Sequence, residues 1–399
     1  MSDSKETTFR DLVAINALAL SDGYRAKLDE LGGNGPLFLR AGALTDQGFT
    51  WKDLDAFHAD RAEALSGKMG RRGDVVITTK GNSIGRTGWV PADAPSFVYS
   101  PHLSFWRARN ANVLHSRFLY YWSASREFAQ QLQTLGHGTD MAPYLSLRDQ
   151  LRLKISLPDL KEQVAVAAVL GALDDKIAAN TKLAEITDDL VRAEYNALSE
   201  DASEARSIAS IGTHPRDLVD PSQADGNRIY VGLEHVPRRR MWLSESGLSS
   251  DVTSTKASFA SGDVLFGKLR PYFHKVVSAP ADGICSTDIL VLRAKHPGQA
   301  GFLLAAAASD ATVERCTAAS EGTRMPRTSW KDLAAIEVPW PGDTAAQTFS
   351  ARVTALRDRV DSAMVENRML AGTRDALLPQ LVSGKIRVKD AERVVEGVV

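Results

Sequence analysis

The sequence predicts an α+β protein made of two tandem domains, each followed by a long helix. The two helices are expected to pair as an antiparallel coiled coil with pseudo-twofold symmetry. Three observations carry this prediction: an internal repeat, short β-rich runs in the front part of each copy, and apolar residues at heptad spacing in the back part.

The repeat is seen in segments that recur in the same order. GDVVITTKG at 73–81 resembles GDVLFGKLR at 262–270. FLYYWSAS at 118–125 recurs as FLLAAAAS at 302–309, and GTDM at 138–141 recurs as GTRM at 322–325, both at nearly the same separation. LRLKISLPD at 151–159 then resembles LAAIEVPWP at 333–341. Collinear matches of this kind predict two copies of about 185 residues.

The front part of each copy contains short β-rich runs separated by Gly, Pro and Asp. The runs are 74–79, 97–99 and 103–106 in the first copy, and 264–266, 275–277 and 288–293 in the second. They predict a mixed α+β domain in each copy.

The back part of each copy has the signs of a capped helix. Asp159 is followed three residues later by Glu162, and Thr344 by Gln347. At this spacing two side chains can satisfy the free amides at a helix N-terminus. We therefore expect one helix to follow Asp159 and the other to follow Thr344.

Both helices carry an apolar seam, the 4-3 heptad spacing of core positions. The second helix has it at Phe349, Val353, Leu356, Val360, Ala363, Asn367, Leu370, Arg374 and Leu377, until Pro379 is expected to stop the helix. The first has it at Val166, Leu170, Leu173, Ile177 and Asn180, then shifts phase to Leu183, Ile186 and Leu190. The spacing predicts a coiled coil over about four heptads.

Asn180 and Asn367 fall at core positions of the two seams. A polar residue there costs stability and can fix the register of two helices. The alternative is that both asparagines face solvent at the edge of the seam, and the sequence leaves the two interpretations open.

The helices also predict a domain organisation. A helix from 160 to 197 would be roughly 55 Å long at about 1.5 Å per residue, enough to hold two globular parts at opposite ends. The expected bounds are 1–157 for the first domain, 158–200 for the first helix, 201–341 for the second domain and 342–399 for the second helix and tail.

Composition places the protein among cytoplasmic ones. The 399 residues carry a formal net charge of −1, with no secretory segment and no run apolar enough to cross a membrane. Cys285 and Cys316 are the only cysteines, so no disulfide framework is expected. Between 67 and 110, however, seven basic residues face only Asp74 and Asp93. This local excess of positive charge is typical of a surface that binds nucleic acid.

No arrangement in the sequence predicts catalysis, a metal or a cofactor in this chain. The eight histidines never form an i, i+4 metal pair, and GNSIGRTG at 81–88 lacks the Gly-Lys-Ser/Thr ending of a phosphate loop. Cys285 with His274 could form a nucleophile and base, but an apolar strand around Cys285 favours a buried structural thiol. The Asn/Asp-Pro-Pro-aromatic tetrad of amino-methyltransferases is also missing from the sequence.

Basic segments interleaved with aromatic residues are the candidate DNA contacts, although each alone could be a solvated surface turn. The candidates in the first copy are Lys68, Arg71, Arg72, Lys80, Asn82 and Arg86. In the second copy they are Arg238 and Arg239, then Lys268, Arg270, Tyr272, His274 and Lys275, then Arg324 and Arg327. Arg324 stands where the matching loop of the first copy has Asp140, as expected if the copies read different bases.

Three segments resemble the specificity subunits of type I restriction-modification systems. They are GDVLFGKLRPYFHKVVSAPADGICSTDILVLR, the LPDLKEQ–LDDKIAAN helix at 157–180, and RDALLPQLVSGKIRV at 374–388. The resemblance implies two target-recognition domains that read the halves of an interrupted double-stranded DNA site. It also implies two spacer helices that set the gap and dock two methyltransferase subunits.

The same resemblance places the chemistry in other chains. S-adenosylmethionine would bind to the methyltransferase subunits, which flip out an adenine to methylate it. ATP and Mg would serve the restriction and translocase subunits. One departure is that the second copy has PGDTAAQ where the first has PDLKEQV, so the two helices need not dock partners equally well.

Three alternatives remain open from the sequence. The chain could be the specificity subunit of a related fused or type IIB-like restriction system, with different partners. It could be a coiled-coil scaffold that binds only proteins, in which case duplex DNA would show no salt-dependent affinity. A standalone enzyme would need activity from the purified chain alone.

Overall fold

A computed structural model describes residues 5–45, 48–136, 144–221, 227–320 and 325–397. The chain divides into two compact units. The first unit consists of residues 1–175 and 370–399, and the second of residues 176–369.

The first unit is built around a four-stranded antiparallel sheet. Its described strands are β1 (Lys5–Thr8), β2 (Leu18–Asp22), β3 (Leu37–Leu39), β4 (Leu44–Thr45), β5 (Gly48–Phe49), β6 (Val75–Thr78), β7 (Thr87–Trp89), β8 (Phe97–Tyr99), β9 (Leu103–Ala108) and β10 (Lys154–Leu157). The helices that follow them in the chain are α1 (Phe9–Ala14), α2 (Ser116–Ser123), α3 (Arg126–Gly136), α4 (Leu147–Gln150) and the long α5 (Leu160–Glu200). The central sheet has the order β2-β9-β6-β7, while β1 pairs with β10 and β3 runs parallel to β8.

The second unit has the strands β11 (Glu204–Ser207), β12 (Gly212–Thr213), β13 (Leu218–Val219), β14 (Ile229–Val231), β15 (Gly247–Leu248), β16 (Lys256–Phe259), β17 (Val264–Gly267), β18 (Val276–Ser278), β19 (Gly283–Cys285), β20 (Ile289–Ala294) and β21 (Glu337–Trp340). Its helices are α6 (Ile208–Ile211), α7 (Ala300–Ala307), α8 (Asp310–Ala318) and α9 (Trp330–Ala334). The long α10 (Asp343–Val382) begins in this unit, and α11 (Val388–Glu396) follows it in the first unit.

The internal repeat predicted from the sequence is visible in the strand order of the two units. The sheet β2-β9-β6-β7 of the first unit corresponds to β12-β20-β17-β18 of the second. The antiparallel pair β1·β10 corresponds to β11·β21, and the parallel pair β3·β8 to β14·β19. The predicted fold class, two tandem α+β domains each followed by a long helix, is therefore confirmed.

Each central sheet is stabilised by the same kind of ion pair on a buried aspartate. Asp74 precedes β6 and is fully buried, and its carboxylate accepts from Arg107 in β9 at 2.6 Å. Asp263 precedes β17 and pairs with Arg293 in β20, also at 2.6 Å. Removing one partner of such a pair would leave a desolvated charge, so both halves of the repeat retain it.

The two long helices run antiparallel to each other within each unit. In the second unit Asn180 of α5 contacts Asn367 of α10, and Glu194 forms an ion pair with Arg352. In the first unit Asp174 of α5 bonds to Arg374 of α10 at 2.9 Å. As the residue number rises along α5, the residue number of the partner in α10 falls, so the two helices are antiparallel.

The asparagines at the core positions are partners of each other. The Asn180 amide donates to Asn367 Oδ1 at 2.9 Å and to Glu366 Oε2 at 2.7 Å, and Asn180 is buried. Lys176 pairs with the same Glu366 carboxylate at 3.3 Å. Of the two interpretations left open above, the structure therefore supports register control, because a slip by one heptad would put Val360 or Arg374 in the place of Asn367 and remove an acceptor of the buried Asn180 amide.

The predicted phase shift in the first seam is wrong at Ile186 and Leu190, although Leu183 packs against the buried core. Ile186 and Leu190 are 55% and 42% exposed, whereas the neighbouring Thr187 and Val191 are buried. The seam of α5 thus continues from Asn180 with unbroken heptad spacing. Ile186 and Leu190 form a second apolar face that points away from the seam, and spacing alone does not distinguish the two faces.

The predicted start and end of the second long helix also need correction. Asp159 accepts from the amide of Glu162 at 2.8 Å, as expected of a cap. By contrast, α10 begins at Asp343, so Thr344 already lies inside the helix and does not cap it. Pro379 does not stop α10, which continues to Val382. A proline removes the hydrogen bond of its own nitrogen and bends the helix, but only three residues of α10 follow Pro379.

The remaining seam residues are largely buried between the helices. Leu170, Leu173, Val353, Val360 and Leu370 are fully or almost fully buried, and Leu356 and Ile177 are half-buried. Their role as spacer residues stays a prediction. The domain bounds expected from the sequence stay a prediction.

No helix in the described ranges is long and apolar enough to cross a lipid bilayer.

Two adjacent residues of α5 test the corrected seam. We expect Val191→Ala to lower the free energy of unfolding by about 1–3 kcal/mol, because it leaves a cavity in a fully buried site. Leu190→Ala, the control, should change it by less than about 0.5 kcal/mol because that side chain is exposed. Urea unfolding of both variants measures the difference. A larger loss for Leu190→Ala than for Val191→Ala would restore the phase-shifted seam.

Candidate nucleic-acid interface

A loop of the same backbone geometry lies at the end of the central sheet in each unit. We call residues 79–86, between β6 and β7, the first loop, and residues 268–275, between β17 and β18, the second loop. The Thr78 amide donates to Arg86 O at 2.9 Å, and the Gly267 amide donates to Lys275 O at 2.8 Å. The two loops therefore align in one register, the same register that aligns GDVVITTKG with GDVLFGKLR in the sequence.

The second loop joins basic segments that are far apart in sequence. The Arg270 amide donates to Pro326 O at 2.7 Å, and the Arg239 amide donates to His274 O at 2.8 Å. Leu269 and Arg327 form a β-bridge. The three basic segments predicted in the second copy therefore meet at one surface, as far as the described residues extend. Arg324 and the GTRM and GTDM motifs, with Asp140, lie outside those residues.

An aromatic pair lies beneath the cations of this surface. The Arg238 guanidinium lies 3.9 Å from the centre of the Phe273 ring, and that of Arg270 lies 5.9 Å from it. Tyr272 packs edge-on against Phe273 at 4.8 Å and is 51% exposed. Cation–π contact holds the arginines in place without neutralising their charge.

Acidic neighbours neutralise some of the predicted cations. Arg239 pairs with Asp310 at 2.7 Å, and Arg327 lies 3.5 Å from Asp288. Both arginines are exposed, so solvent screens the two pairs and they remain open to exchange with phosphate oxygens. Lys268 has no such acidic partner among the residues that the structure describes.

Two of the predicted contacts in the second loop hold the loop in place instead. His274 is only 3% exposed, and its ring bonds through Nε2 to Ala308 O at 2.9 Å and lies 3.3 Å from Asp310 through Nδ1. Burial lowers the pKa of His274, against the opposing effect of the Ala308 carbonyl. The Lys275 ammonium donates to Leu233 O. Neither side chain is free to contact DNA, a correction that follows from tertiary contacts.

The candidates of the first unit are also divided between exposed and engaged side chains. Arg71, Arg72 and Asn82 are exposed. Lys80 lies over the Tyr144 ring at 4.6 Å, and Arg86 donates to Leu44 O at 3.2 Å.

Lys68 is engaged within the protein too. Its ammonium pairs with Asp22 at 2.7 Å and donates to Ser21 Oγ at 3.0 Å. The exposed candidates Arg71, Arg72 and Asn82 are therefore the ones that a phosphate or base could reach without breaking an internal contact.

Sequence reasoning missed residues that shape this surface. Phe273 was only an interleaved aromatic in the sequence, and Tyr144 was not singled out as a partner of Lys80. The register of the two loops aligns Lys80 with Leu269, whose bridge to Arg327 corresponds to the bridge between Lys80 and Tyr144. The interleaving of aromatic and basic residues in KLRPYFHK was the signal for Phe273, whereas the bridge between Lys80 and Tyr144 is a tertiary contact without a signal in the sequence.

The cysteines do not form a reactive site. Cys285 ends β19 and is fully buried, and burial raises its pKa to about 12. Burial likewise raises the pKa of Cys316 to about 11. Both thiols are therefore neutral near pH 7 and are structural.

Within the described ranges, no group of three or more His, Cys, Asp or Glu side chains could hold a metal ion.

Two copies of one sheet-and-loop module, each joined to a long helix, define a class of duplicated α+β proteins. Residues 69–188 match a family model described as "Type I restriction modification DNA specificity domain". The chain is 30% identical over 120 residues to the type I restriction enzyme EcoDI specificity subunit of Escherichia coli, covering 29% of this chain and 26% of that relative.

Longer similarity is found with two further proteins. The HindI specificity subunit of Haemophilus influenzae is 24% identical over 401 residues, with 79% of this chain and 87% of that relative covered. A crystal structure of the type I system S subunit from M. genitalium has a TM-score of 0.59 at 15% identity, covering 95% of this chain and 96% of that one. The latter shows the shared fold.

Together these findings confirm the resemblance, stated from the sequence, to the specificity subunits of type I restriction-modification systems. Both relatives are named as specificity subunits, which agrees with the expectation that this chain is not an enzyme.

Proposed function

We propose that this chain recognises a bipartite, asymmetric DNA target, with each unit reading one part. One observation carries the proposal: two loops of the same backbone geometry carry different side chains. The first loop has the sequence TKGNSIGR and the second KLRPYFHK. Equivalent positions that present different donors will favour different base edges, so the two parts of the target differ in sequence.

Phosphate contacts would position each unit before bases are read. Cations suited to this role are the exposed Arg71 and Arg72 in the first unit, and the exposed Arg238 and half-buried Lys268 in the second. Arg238 is held over Phe273 and keeps its full charge. Contacts to phosphate give affinity and orientation, while side chains that reach base edges give specificity.

The helix pair would set the gap between the two parts of the target. Its register is defined by the Asn180–Asn367 contact and by ion pairs on either side of it. A helix pair with one register provides one separation, so the gap would have a fixed length. Half-sites about one helical turn apart, roughly 34 Å, would suit helices of this size.

The long helices would also dock two methyltransferase subunits, with restriction and translocase subunits joining the complex. Because the seam is buried within the helix pair, a partner must use an outward face. Ile186 and Leu190 supply one, followed at heptad spacing by the exposed Ala193 and Ala197. An apolar strip of this kind suits an amphipathic helix of a partner.

The chemistry in this proposal belongs to the partners. S-adenosylmethionine would bind to the methyltransferase subunits, and ATP with Mg to the restriction subunit. We place the assembly in the cytoplasm, where the DNA that it modifies is found.

Salt dependence tests the proposed DNA binding. Affinity for a duplex should fall as salt rises, and Arg238→Ala should reduce the slope of log K against log salt by about 1, because one phosphate contact is lost. Arg352→Ala is the matched control, since that arginine pairs with Glu194 on the helix pair and should leave the slope unchanged. Titration by fluorescence anisotropy measures both slopes. An affinity for duplex DNA that does not respond to salt would favour the protein scaffold instead.

The apolar strip can be tested separately. Ile186→Glu should weaken binding of the methyltransferase subunit by about tenfold or more, because a carboxylate would be buried in the contact. Ile15→Glu, an exposed isoleucine of the first unit, serves as control and should bind normally. Calorimetric titration of each variant with the methyltransferase subunit gives the two affinities. Equal affinities would show that docking uses another face.

A further inference from the structure

Left-handed backbone at residues other than glycine is concentrated at the candidate interface. Five such residues occur in the described chain: Asn16, Asp53, Arg239, Arg270 and His274. Three of the five, Arg239, Arg270 and His274, lie together at the second loop. Asparagine, aspartate and histidine tolerate this conformation better than other side chains do, whereas arginine has no such advantage. Strain that persists at one surface indicates that its side chains are needed there.

The first loop shows what the same backbone requires when no side chain is needed. Gly81 and Gly85 have φ angles of +82° and +84°, and they occupy the positions of Arg270 and His274, whose φ angles are +51° and +52°. Both pairs of positions have the same separation in sequence, the one that aligns the two loops. One unit thus fills the left-handed positions with the residue that fits them without strain, while the other fills them with Arg and His.

The side chains at these two positions meet different surroundings. A Cβ atom built on Gly85 would lie 2.0 Å from Leu132 Cδ2, so that position faces the protein, as the buried His274 does in the second unit. A Cβ atom on Gly81 would have nothing within 4 Å, so that position faces open space. The contacts of His274 account for its side chain, whereas the Arg270 guanidinium has only the distant Phe273 ring, 5.9 Å away, among the described residues.

The Arg270 side chain has no polar partner, while its backbone is held in place. Its guanidinium makes no hydrogen bond or ion pair with any residue that the structure describes, and its Nε atom is buried without a partner. Its backbone is held by the hydrogen bond that the Arg270 amide donates to Pro326 O, by the β-bridge between Leu269 and Arg327, and by the ring of Pro271. Arg239, by contrast, has its charge matched by Asp310.

We propose that Arg270 is the residue with which the second unit selects a guanine in its part of the target. This inference rests on the DNA recognition proposed above. The guanidinium presents parallel N–H donors and no acceptor, which matches the O6 and N7 acceptor pair on the major-groove edge of guanine. Adenine offers one donor and one acceptor at that edge, and cytosine offers a donor. Neither base therefore accepts from both N–H groups of the guanidinium. The first unit has glycine at the equivalent position, so that position of its loop cannot make this selection.

The test replaces Arg270 by the residue that the first unit uses. The full chain and its variants would each select from a pool of duplex DNA with a randomised central segment. Wild-type protein should enrich a two-part motif. Arg270→Gly should lose at least about fivefold of the preference for G·C at one position of one part, and keep every other preference. Its thermal midpoint should match that of wild type, because glycine adopts the left-handed backbone without strain.

Arg359→Ala is the control, since it removes an exposed arginine of α10 that is not one of the candidate DNA contacts. It should leave the enriched motif unchanged. Arg270→Lys, which keeps the charge and loses the fork, should weaken the same single preference even if the glycine variant folds poorly.

Three results would overturn the inference. An unchanged motif for Arg270→Gly, or a uniform loss of affinity with the motif intact, would make Arg270 a phosphate contact or a bystander. An equal loss in Arg359→Ala would remove the assignment to Arg270. Failure of the wild-type protein to enrich any motif would instead contradict the proposed DNA recognition itself.

Discussion

The contact between Asn180 and Asn367 is the constraint on which the other features depend. It is a polar contact within an apolar seam, and it joins equivalent places in the two long helices. Apolar side chains alone would allow the helices to slide by a heptad, since Leu and Val pack acceptably in several registers. The amides do not allow this, because a slip would leave buried donors without acceptors. Each unit contains a segment of both helices. The register therefore determines which segment of α5 pairs with which segment of α10 in each unit.

Duplication then supplies two similar surfaces that diverged at a few positions. The sheet, the aspartate–arginine pair and the loop backbone are kept in both units. The differences are concentrated in loop side chains, where glycine in one unit occupies the position equivalent to arginine or histidine in the other. A rigid scaffold with variable loops permits a change of recognised sequence without a change of fold.

Much of the fold was predictable because the repeat and the heptad spacing are properties of the sequence itself. The predicted phase shift at Ile186 failed because an apolar residue at heptad spacing fits an inward face and an outward face equally well. The ends of α10 failed because Thr344 and Pro379 are common boundary residues that a helix also tolerates in its first and last turns. The candidate site was partly predictable: its basic segments were visible, but the burial of His274 depends on the Ala308 carbonyl, which is distant in sequence.

The most direct test of the account lengthens the helix pair by one heptad. Residues 174–180 of α5 and 367–373 of α10 would both be duplicated, which gives each added residue a partner and preserves the contacts on either side. The insertion adds about 10 Å of helix, equivalent to about three base pairs of duplex. Mapping methylated sites in cells that carry the variant should show both parts of the target unchanged and a gap about three base pairs longer. An unchanged gap would contradict the account, because the helices would then not set the spacing.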